Sequence, residues 1–213
     1  MRSFDDAERW SPAGRRWIAQ IRLTSTEVLD LGDTYLAAAR AWWPEIDQVL
    51  RPVQRAYRHI TLINTNVPAE TAPAELVEQL SARLAVTAAA HLPVQLMLGP
   101  AVVNTLAVEL YIQPSPALTA LRDALATDVA AVLERPAEPQ GKTWRAHSAI
   151  SYCTAPFDDD GLQSTLLRTP GLVAGYQGPV RERVDRVLLA ATDPWDPNGR
   201  FWTDSVELQL GSR

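Results

Sequence analysis

Two strand-like stretches that each carry a histidine constrain this chain more than any other feature of its sequence. The first, YRHITLI, covers residues 57–63, and the second, WRAHSAISY, covers residues 144–152, roughly ninety residues later. On a strand, the side chains at positions i and i+2 project from the same face. His59 and Thr61 are therefore expected on one open face of the first strand, with its isoleucine and leucine on the buried face.

The second stretch reproduces the histidine but not the threonine. In a regular strand His147 shares its face with Ala149 and Ser151. Tyr152 points to the opposite face in the same pattern. Ser151 is then the nearest hydroxyl that could replace the missing one, whereas Ser148 could do so only if a β-bulge turned the strand by one residue. The sequence does not decide which of these two serines replaces the missing hydroxyl.

The order of elements around these stretches predicts an α+β protein with two lobes. The helix at 72–90 has a leucine at every fourth position, and the helix at 115–133 begins with Ser115 as a plausible N-cap and Pro116 at its first position. Two apolar runs on either side of Gly99 and a proline predict a hairpin. Strands are predicted at 17–24, 57–63, 92–99, 105–112, 144–152, 183–192 and 201–210, and a further helix at 34–43.

The paired histidine stretches resemble the 2H phosphoesterase superfamily, which includes bacterial RNA 2',3'-cyclic phosphodiesterases and 2'-5' RNA ligase-like proteins. The signature of that family is two His-x-Thr/Ser-x motifs, with x usually apolar, on strands of two pseudo-symmetric lobes. HITL at 59–62 fits the motif fully, and HSAI at 147–150 fits it at the histidine and the last apolar position. The resemblance implies a single bilobal domain over 1–213, in which two antiparallel sheets form a central cleft and the helices lie outside.

The resemblance also implies the chemistry of a metal-independent phosphodiesterase. Its substrate would be a 2',3'-cyclic phosphate or a related phosphodiester of a nucleotide or RNA end, with His59 and His147 as general acid and base. Opening a cyclic phosphate requires that a water lose a proton and a sugar oxygen gain one. Histidine suits both tasks because its ordinary pKa is about 6.5. Which histidine is the acid stays open at this point.

Four further residues are candidates for substrate binding. By resemblance, Thr61 would donate a hydrogen bond to a nonbridging phosphate oxygen, with Ser151 as the candidate second donor. Arg145 lies two residues before His147, hence on its face, and is a candidate phosphate contact. Tyr152 is a candidate for the cleft wall or for stacking on a base.

Ala149 favours one alternative function, and the sequence leaves a second one open. Removing one donor to a developing oxyanion costs roughly 10²- to 10³-fold in rate, so the chain could be a degenerate module that binds a phosphorylated ligand without turnover. It could also be an enzyme of specialised metabolism that reuses the cleft for other chemistry. The expected partner of the chain is a small phosphorylated ligand, a nucleotide or an RNA end.

Composition narrows the classes of partner. A net charge of −5 and a pI of about 5.2 argue against an extended nucleic-acid-binding face. No apolar run approaches the length of a membrane span, and the charged N-terminal segment lacks an export signal, so the expected location is the cytoplasm. The single cysteine and the spacing of the three histidines predict no disulfide, no metal site and no cofactor.

Overall fold

The computed structural model describes residues 14–135, 144–168, 179–193 and 201–211. Within these residues the chain forms nine strands and four α-helices. The strands are β1 (Arg16–Arg22), β2 (Leu50–Pro52), β3 (His59–Pro68), β4 (Val94–Val103), β5 (Ala107–Ile112), β6 (His147–Cys153), β7 (Val180–Val184), β8 (Arg186–Thr192) and β9 (Trp202–Gln209); the helices are α1 (Thr26–Trp42), α2 (Ala74–Ala89), α3 (Pro116–Val132) and α4 (Leu162–Arg168).

The strands form two antiparallel sheets, as predicted for an α+β protein of this kind. The first sheet has the order β3-β1-β8-β9 and the second the order β2-β6-β5-β4-β7. Helices α2 and α3 pack on the first sheet, and helices α1 and α4 pack on the second. None of the described helices is long and apolar enough to cross a membrane.

The two halves share the same order of a strand, a long helix and a returning strand. β1 leads through α1 and the short β2 to β3, and β5 leads through α3 to β6; α1 packs on the second sheet and α3 on the first. The returning strand pairs antiparallel with the strand that precedes the helix, and a histidine is its first residue in both lobes. His59 lies opposite Arg22, and His147 lies opposite Tyr111. The predicted pseudo-symmetry is thus present in the fold.

Helix caps explain where two of the helices begin. The Ser115 hydroxyl accepts a hydrogen bond from the Leu118 amide at 3.2 Å, which confirms the predicted start of α3. Helix α1 begins at Thr26, eight residues before the predicted start. Its N-cap is Ser25, a serine whose capping role the prediction overlooked.

The β4–β5 hairpin is confirmed, but its turn is not at the predicted glycine-proline pair. Gly99 lies inside β4, at a register shift between Leu98 and Ala101. The chain instead turns just after β4, where the Asn104 amide donates to the carbonyl of Ala107 at 2.8 Å. The glycine has a φ of +107°, a conformation that suits glycine and fits an irregularity within a strand.

The strand predicted at 183–192 is in fact two strands in different sheets. β7 is the edge strand of the second sheet and alternates between buried and exposed residues, whereas β8 lies inside the first sheet and is buried almost throughout. Asp185 separates them, and its carbonyl accepts hydrogen bonds from Leu210 and Gln209 at the end of β9. The contacts of Asp185 with the end of β9 therefore lie where β7 ends and β8 begins.

The main hydrophobic core contains buried residues of both sheets. Ile21 and Leu62 contribute from the first sheet, and Leu98, Leu110 and Ile150 from the second. A second, smaller cluster combines Val53, Ala107, Ala149 and Phe201, with Tyr57, Tyr152 and Trp202 packed against it. This smaller cluster lies beside the two histidine strands.

Candidate active site

The two histidine rings are held in the same way in the two lobes. Nδ1 of His59 lies 2.8 Å from the carbonyl oxygen of Tyr57, and Nδ1 of His147 lies 2.8 Å from the carbonyl oxygen of Arg145. In each case the acceptor is the residue two places earlier in the chain. A backbone carbonyl accepts only from an N–H, so this contact fixes the proton on Nδ1 and leaves Nε2 for proton transfer.

The structure brings the two histidine strands next to each other across the lobes. The indole N–H of Trp144, just before β6, donates to the carbonyl of Thr61 at 3.2 Å. The amide of Val53, which precedes β3, donates to the carbonyl of Ile150 at 2.8 Å. These bonds tie the segments around β3 to β6.

Aromatic rings surround His59. Trp202 meets the imidazole edge to face at a centroid distance of 5.6 Å, and Phe201 lies 6.2 Å away. Tyr57 packs on both of these rings, and Tyr152 lies 6.0 Å from Phe201. We call Tyr57, Tyr152, Phe201 and Trp202 the aromatic cluster. No sequence pattern indicated that Phe201 or Trp202 lies beside His59, because β9 follows β3 by more than a hundred residues.

Burial among these rings changes the protonation of His59. Loss of hydration lowers the pKa of His59 to about 4, although its hydrogen bond to the Tyr57 carbonyl opposes the shift. The charge of His147 lowers the pKa of His59 further. At neutral pH His59 is therefore uncharged, with a lone pair on Nε2.

Thr61 occupies the position that strand alternation predicts. Ile60 and Leu62 are buried in the core, and Thr61 is half-buried on the same face as His59. Among the described residues, none forms a hydrogen bond with the Thr61 hydroxyl. Trp144 bonds to the backbone carbonyl of Thr61, not to its side chain. The hydroxyl therefore remains available to a ligand.

A β-bulge in β6 moves Ser151 off the face on which it was predicted. Val108 pairs with Ser151 and Glu109 with Ala149, so Ile150 has no partner on β5. The extra residue shifts the alternation by one beyond Ala149. Ser151 is 0% exposed with an unbonded hydroxyl, and so it cannot touch a ligand in the cleft.

The same bulge moves Tyr152 to the cleft side. A regular strand would point it away from the histidine, but its ring packs with the aromatic cluster instead. Burial raises the pKa of the Tyr152 phenol, Glu109 raises it further, and Arg51 opposes both effects. Tyr152 therefore stays a protonated phenol and a hydrogen-bond donor. Ser148 is fully buried, so it does not supply the missing hydroxyl either.

A buried glutamate that sequence reasoning missed lies beside His147. The side chain of Glu109 is 5% exposed, and its Oε1 lies 3.7 Å from Nε2 of His147. Oε1 accepts a hydrogen bond from Asn104 Nδ2 at 3.1 Å, and Oε2 accepts one from the guanidinium of Arg145. Arg145, predicted to face a phosphate, thus pairs with a carboxylate. The only sequence signal for Glu109 was that it is an acidic residue within an otherwise largely apolar strand.

Arg55 and Arg58, two of the arginines that precede His59, are held by residues of α1. Arg55 pairs with Asp30 and Asp33 on α1. Arg58 is buried and bonded to the Leu29 carbonyl and to Asp33.

An acidic run of three aspartates follows β6. Carboxylate oxygens of Asp158, Asp159 and Asp160 lie within 4.8 Å of one another. Asp158 and Asp160 are exposed, and the Asp160 amide donates to the carboxylate of Asp158 at 3.1 Å, as expected of a turn. Cys153 is fully buried, with Sγ donating to the carbonyl of Ala155.

Comparison with known proteins gives one family and a consistent set of folds. The profile of the 2'-5' RNA ligase superfamily matches residues 35–194. Apo LigT from Escherichia coli is 18% identical, with a TM-score of 0.62, over 93% of this chain and 98% of LigT. TT0787 of Thermus thermophilus is 16% identical, with a TM-score of 0.59, over 92% of this chain and 100% of that chain. Usb1 of Kluyveromyces marxianus is 12% identical, with a TM-score of 0.55, over 93% of this chain and 99% of that chain. No curated protein sequence matches the chain.

Several of the similar structures hold ligands. LigT structures similar to this chain contain 3'-AMP, NADP+, ATP or phosphate. At 16–18% identity these likenesses establish the architecture of two sheets and outer helices.

Proposed function

Because this chain belongs to the 2'-5' RNA ligase superfamily, we propose that it is a metal-independent phosphodiesterase that opens a 2',3'-cyclic phosphate, or a related phosphodiester, of a nucleotide or RNA end. One observation carries the proposal. Two histidines begin equivalent strands of the two lobes, and each has Nδ1 bound to a backbone carbonyl two residues earlier. Both rings therefore offer Nε2 for proton transfer.

In the proposed reaction the two rings divide the proton transfers. One Nε2 removes a proton from a water that attacks phosphorus, and the other Nε2–H protonates the departing sugar oxygen. The phosphorus–oxygen bond to that sugar oxygen breaks, and a phosphomonoester is formed. Neither transfer requires a metal ion.

Thr61 and Tyr152 are the proposed donors to the nonbridging phosphate oxygens. The Thr61 hydroxyl projects beside His59, and the Tyr152 phenol, moved to the cleft side by the bulge, takes the role for which Ser151 was predicted. The aromatic cluster offers ring faces to a base, and 3'-AMP bound to LigT supports a nucleotide substrate. Arg145 is the weaker phosphate contact because Glu109 already holds it.

A second candidate function is a binding module without turnover. Ala149 offers no hydroxyl, and its neighbour across the strands is Glu109, whose carboxylate repels a phosphate. If this repulsion prevents the phosphate from approaching His147, the cleft would bind a nucleotide without opening it. Phosphate is also a ligand in a LigT structure, so binding alone is consistent with the fold.

We expect the purified protein to open nucleoside 2',3'-cyclic monophosphates in the presence of EDTA. The product is a single phosphomonoester, which chromatography and ³¹P NMR identify as the 2' or the 3' isomer. Calorimetry with the same nucleotides serves as the control for binding. Measurable binding without any product would support the binding module and reject the phosphodiesterase.

Replacing Thr61 with valine is expected to lower kcat by roughly 10²-fold, because it removes a donor to the phosphate and keeps the shape of the side chain. Thr61→Ser retains the hydroxyl and is expected to stay within a few-fold of the wild-type rate. Both rates are measured at saturating cyclic nucleotide. Equal rates for valine and serine would remove Thr61 from the phosphate site.

A further inference from the structure

The buried carboxylate of Glu109 distinguishes the two histidines, and this distinction assigns their roles. We infer that Glu109 is a positioning residue that keeps His147 as the proton donor and leaves His59 as the base. The inference rests on the proposed function, which by itself does not orient the pair.

The separation between Glu109 and His147 suits a charge partner that does not block the reaction. At 3.7 Å, Oε1 is close enough to stabilise a positive imidazolium through space. It is also beyond hydrogen-bond length, so no bond must break before Nε2–H reaches a leaving oxygen. Nδ1 is occupied by the Arg145 carbonyl, which makes Nε2–H the transferable proton.

Glu109 is itself held in place. Asn104 and Arg145 donate to its two oxygens, and the side chain is almost fully buried on β5. Ala149 is its direct neighbour across the strands. The bonds from Asn104 and Arg145 hold the carboxylate beside the His147 ring.

The other titratable groups around His147 do not compete with Glu109 for this role. The Arg145 guanidinium pairs with Glu109, and on β3 the titratable group that His147 influences is His59, whose pKa it lowers. The remaining groups that face this region are Tyr111 on β5, Tyr152 on β6 and Arg51 on β2, opposite Tyr152. Of all these groups, Glu109 is the one carboxylate, and its Oε1 lies 3.7 Å from Nε2 of His147.

His59 has the opposite surroundings. Its neighbours are the rings of Phe201 and Trp202, and no carboxylate of a described residue forms an ion pair with it. Apolar burial favours the neutral ring, which is the form that accepts a proton from water. The asymmetry between an aromatic pocket and a carboxylate thus separates a base from an acid.

The resulting step is balanced. Nε2 of His59 takes a proton from water as its oxygen bonds to phosphorus, and Nε2–H of His147 gives a proton to the sugar oxygen as the bond from phosphorus to that oxygen breaks. The products are a phosphomonoester, a protonated His59 and a neutral His147. Exchange with solvent then returns both rings to their starting states.

The test compares the wild type with Glu109→Gln in two measurements, using Glu207→Gln, an exposed change on β9, as the control. NMR follows ring protonation of the three histidines against pH. In Glu109→Gln we expect the His147 transition to move about one pH unit lower, with His59 and His91 unchanged. The second measurement is the rate of opening of a nucleoside 2',3'-cyclic monophosphate against pH. In Glu109→Gln we expect the alkaline limb of this profile to move to lower pH by the same amount and the acidic limb to keep its position.

An unmoved His147 transition in Glu109→Gln, or a moved acidic limb, would overturn the assignment. The wild type provides an independent check if the variant folds poorly. On acidification His147 must take up its proton at higher pH than His59, and the reverse order also overturns the inference. NMR does not depend on turnover, so an inactive protein with the expected transitions would contradict the proposed function and leave the Glu109–His147 pairing intact.

Discussion

His59→Ala and His147→Ala are each expected to lower kcat/KM for nucleoside 2',3'-cyclic monophosphates by about 10³-fold or more. General acid–base catalysis by one positioned group contributes roughly 10²- to 10⁴-fold, and each ring is the proposed source of one proton transfer. The double variant should be little slower than either single variant, because losing one transfer already stops the concerted step.

The third histidine provides the matched control. His91 follows α2, and its Nδ1 contacts the Thr87 carbonyl at 2.8 Å, the same type of contact that holds the two candidate rings. His91→Ala is expected to retain wild-type activity. Undiminished activity in either of the other two variants would remove that histidine from the mechanism, and a large loss in the His91 variant would point to a general effect on folding.

Glu182→Ala is expected to lower the free energy of unfolding by about 2–3 kcal/mol. Glu182 lies on β7, at the edge of the second sheet, and is 1% exposed. Its carboxylate accepts hydrogen bonds from the Thr24 amide and hydroxyl and from the Ser25 amide, at 3.1–3.3 Å. Because Thr24 follows β1, this carboxylate joins the second sheet to the first at the start of α1.

The loss should appear as a fall in Tm of roughly 5–10 °C, measured by circular dichroism together with a urea titration. Glu207→Ala is the matched control, because Glu207 is 61% exposed and forms a surface ion pair with Arg186. Such pairs contribute about 0–1 kcal/mol. If the Tm of Glu182→Ala equals the Tm of Glu207→Ala, the contacts of Glu182 do not contribute to the stability of the interface between the sheets.

Local patterns in the sequence were sufficient for much of the fold. The alternation around His59 placed Thr61 on the open face, because period-two burial is a property of a single strand. Ser115 and Pro116 located the start of α3, because helix capping depends on adjacent residues. The two histidine strands with a helix before each predicted two lobes, and the fold and the family match bear this out.

Tertiary structure decided what lies around the two rings. The bulge in β6, which buries Ser151 and turns Tyr152 toward the aromatic cluster, depends on pairing with β5 and has no signature within the strand itself. Glu109 and Phe201 reach the histidines from strands that are distant in the chain. Their positions depend on long-range pairing and sheet packing, and a local pattern carries no information about which distant residue will be its neighbour.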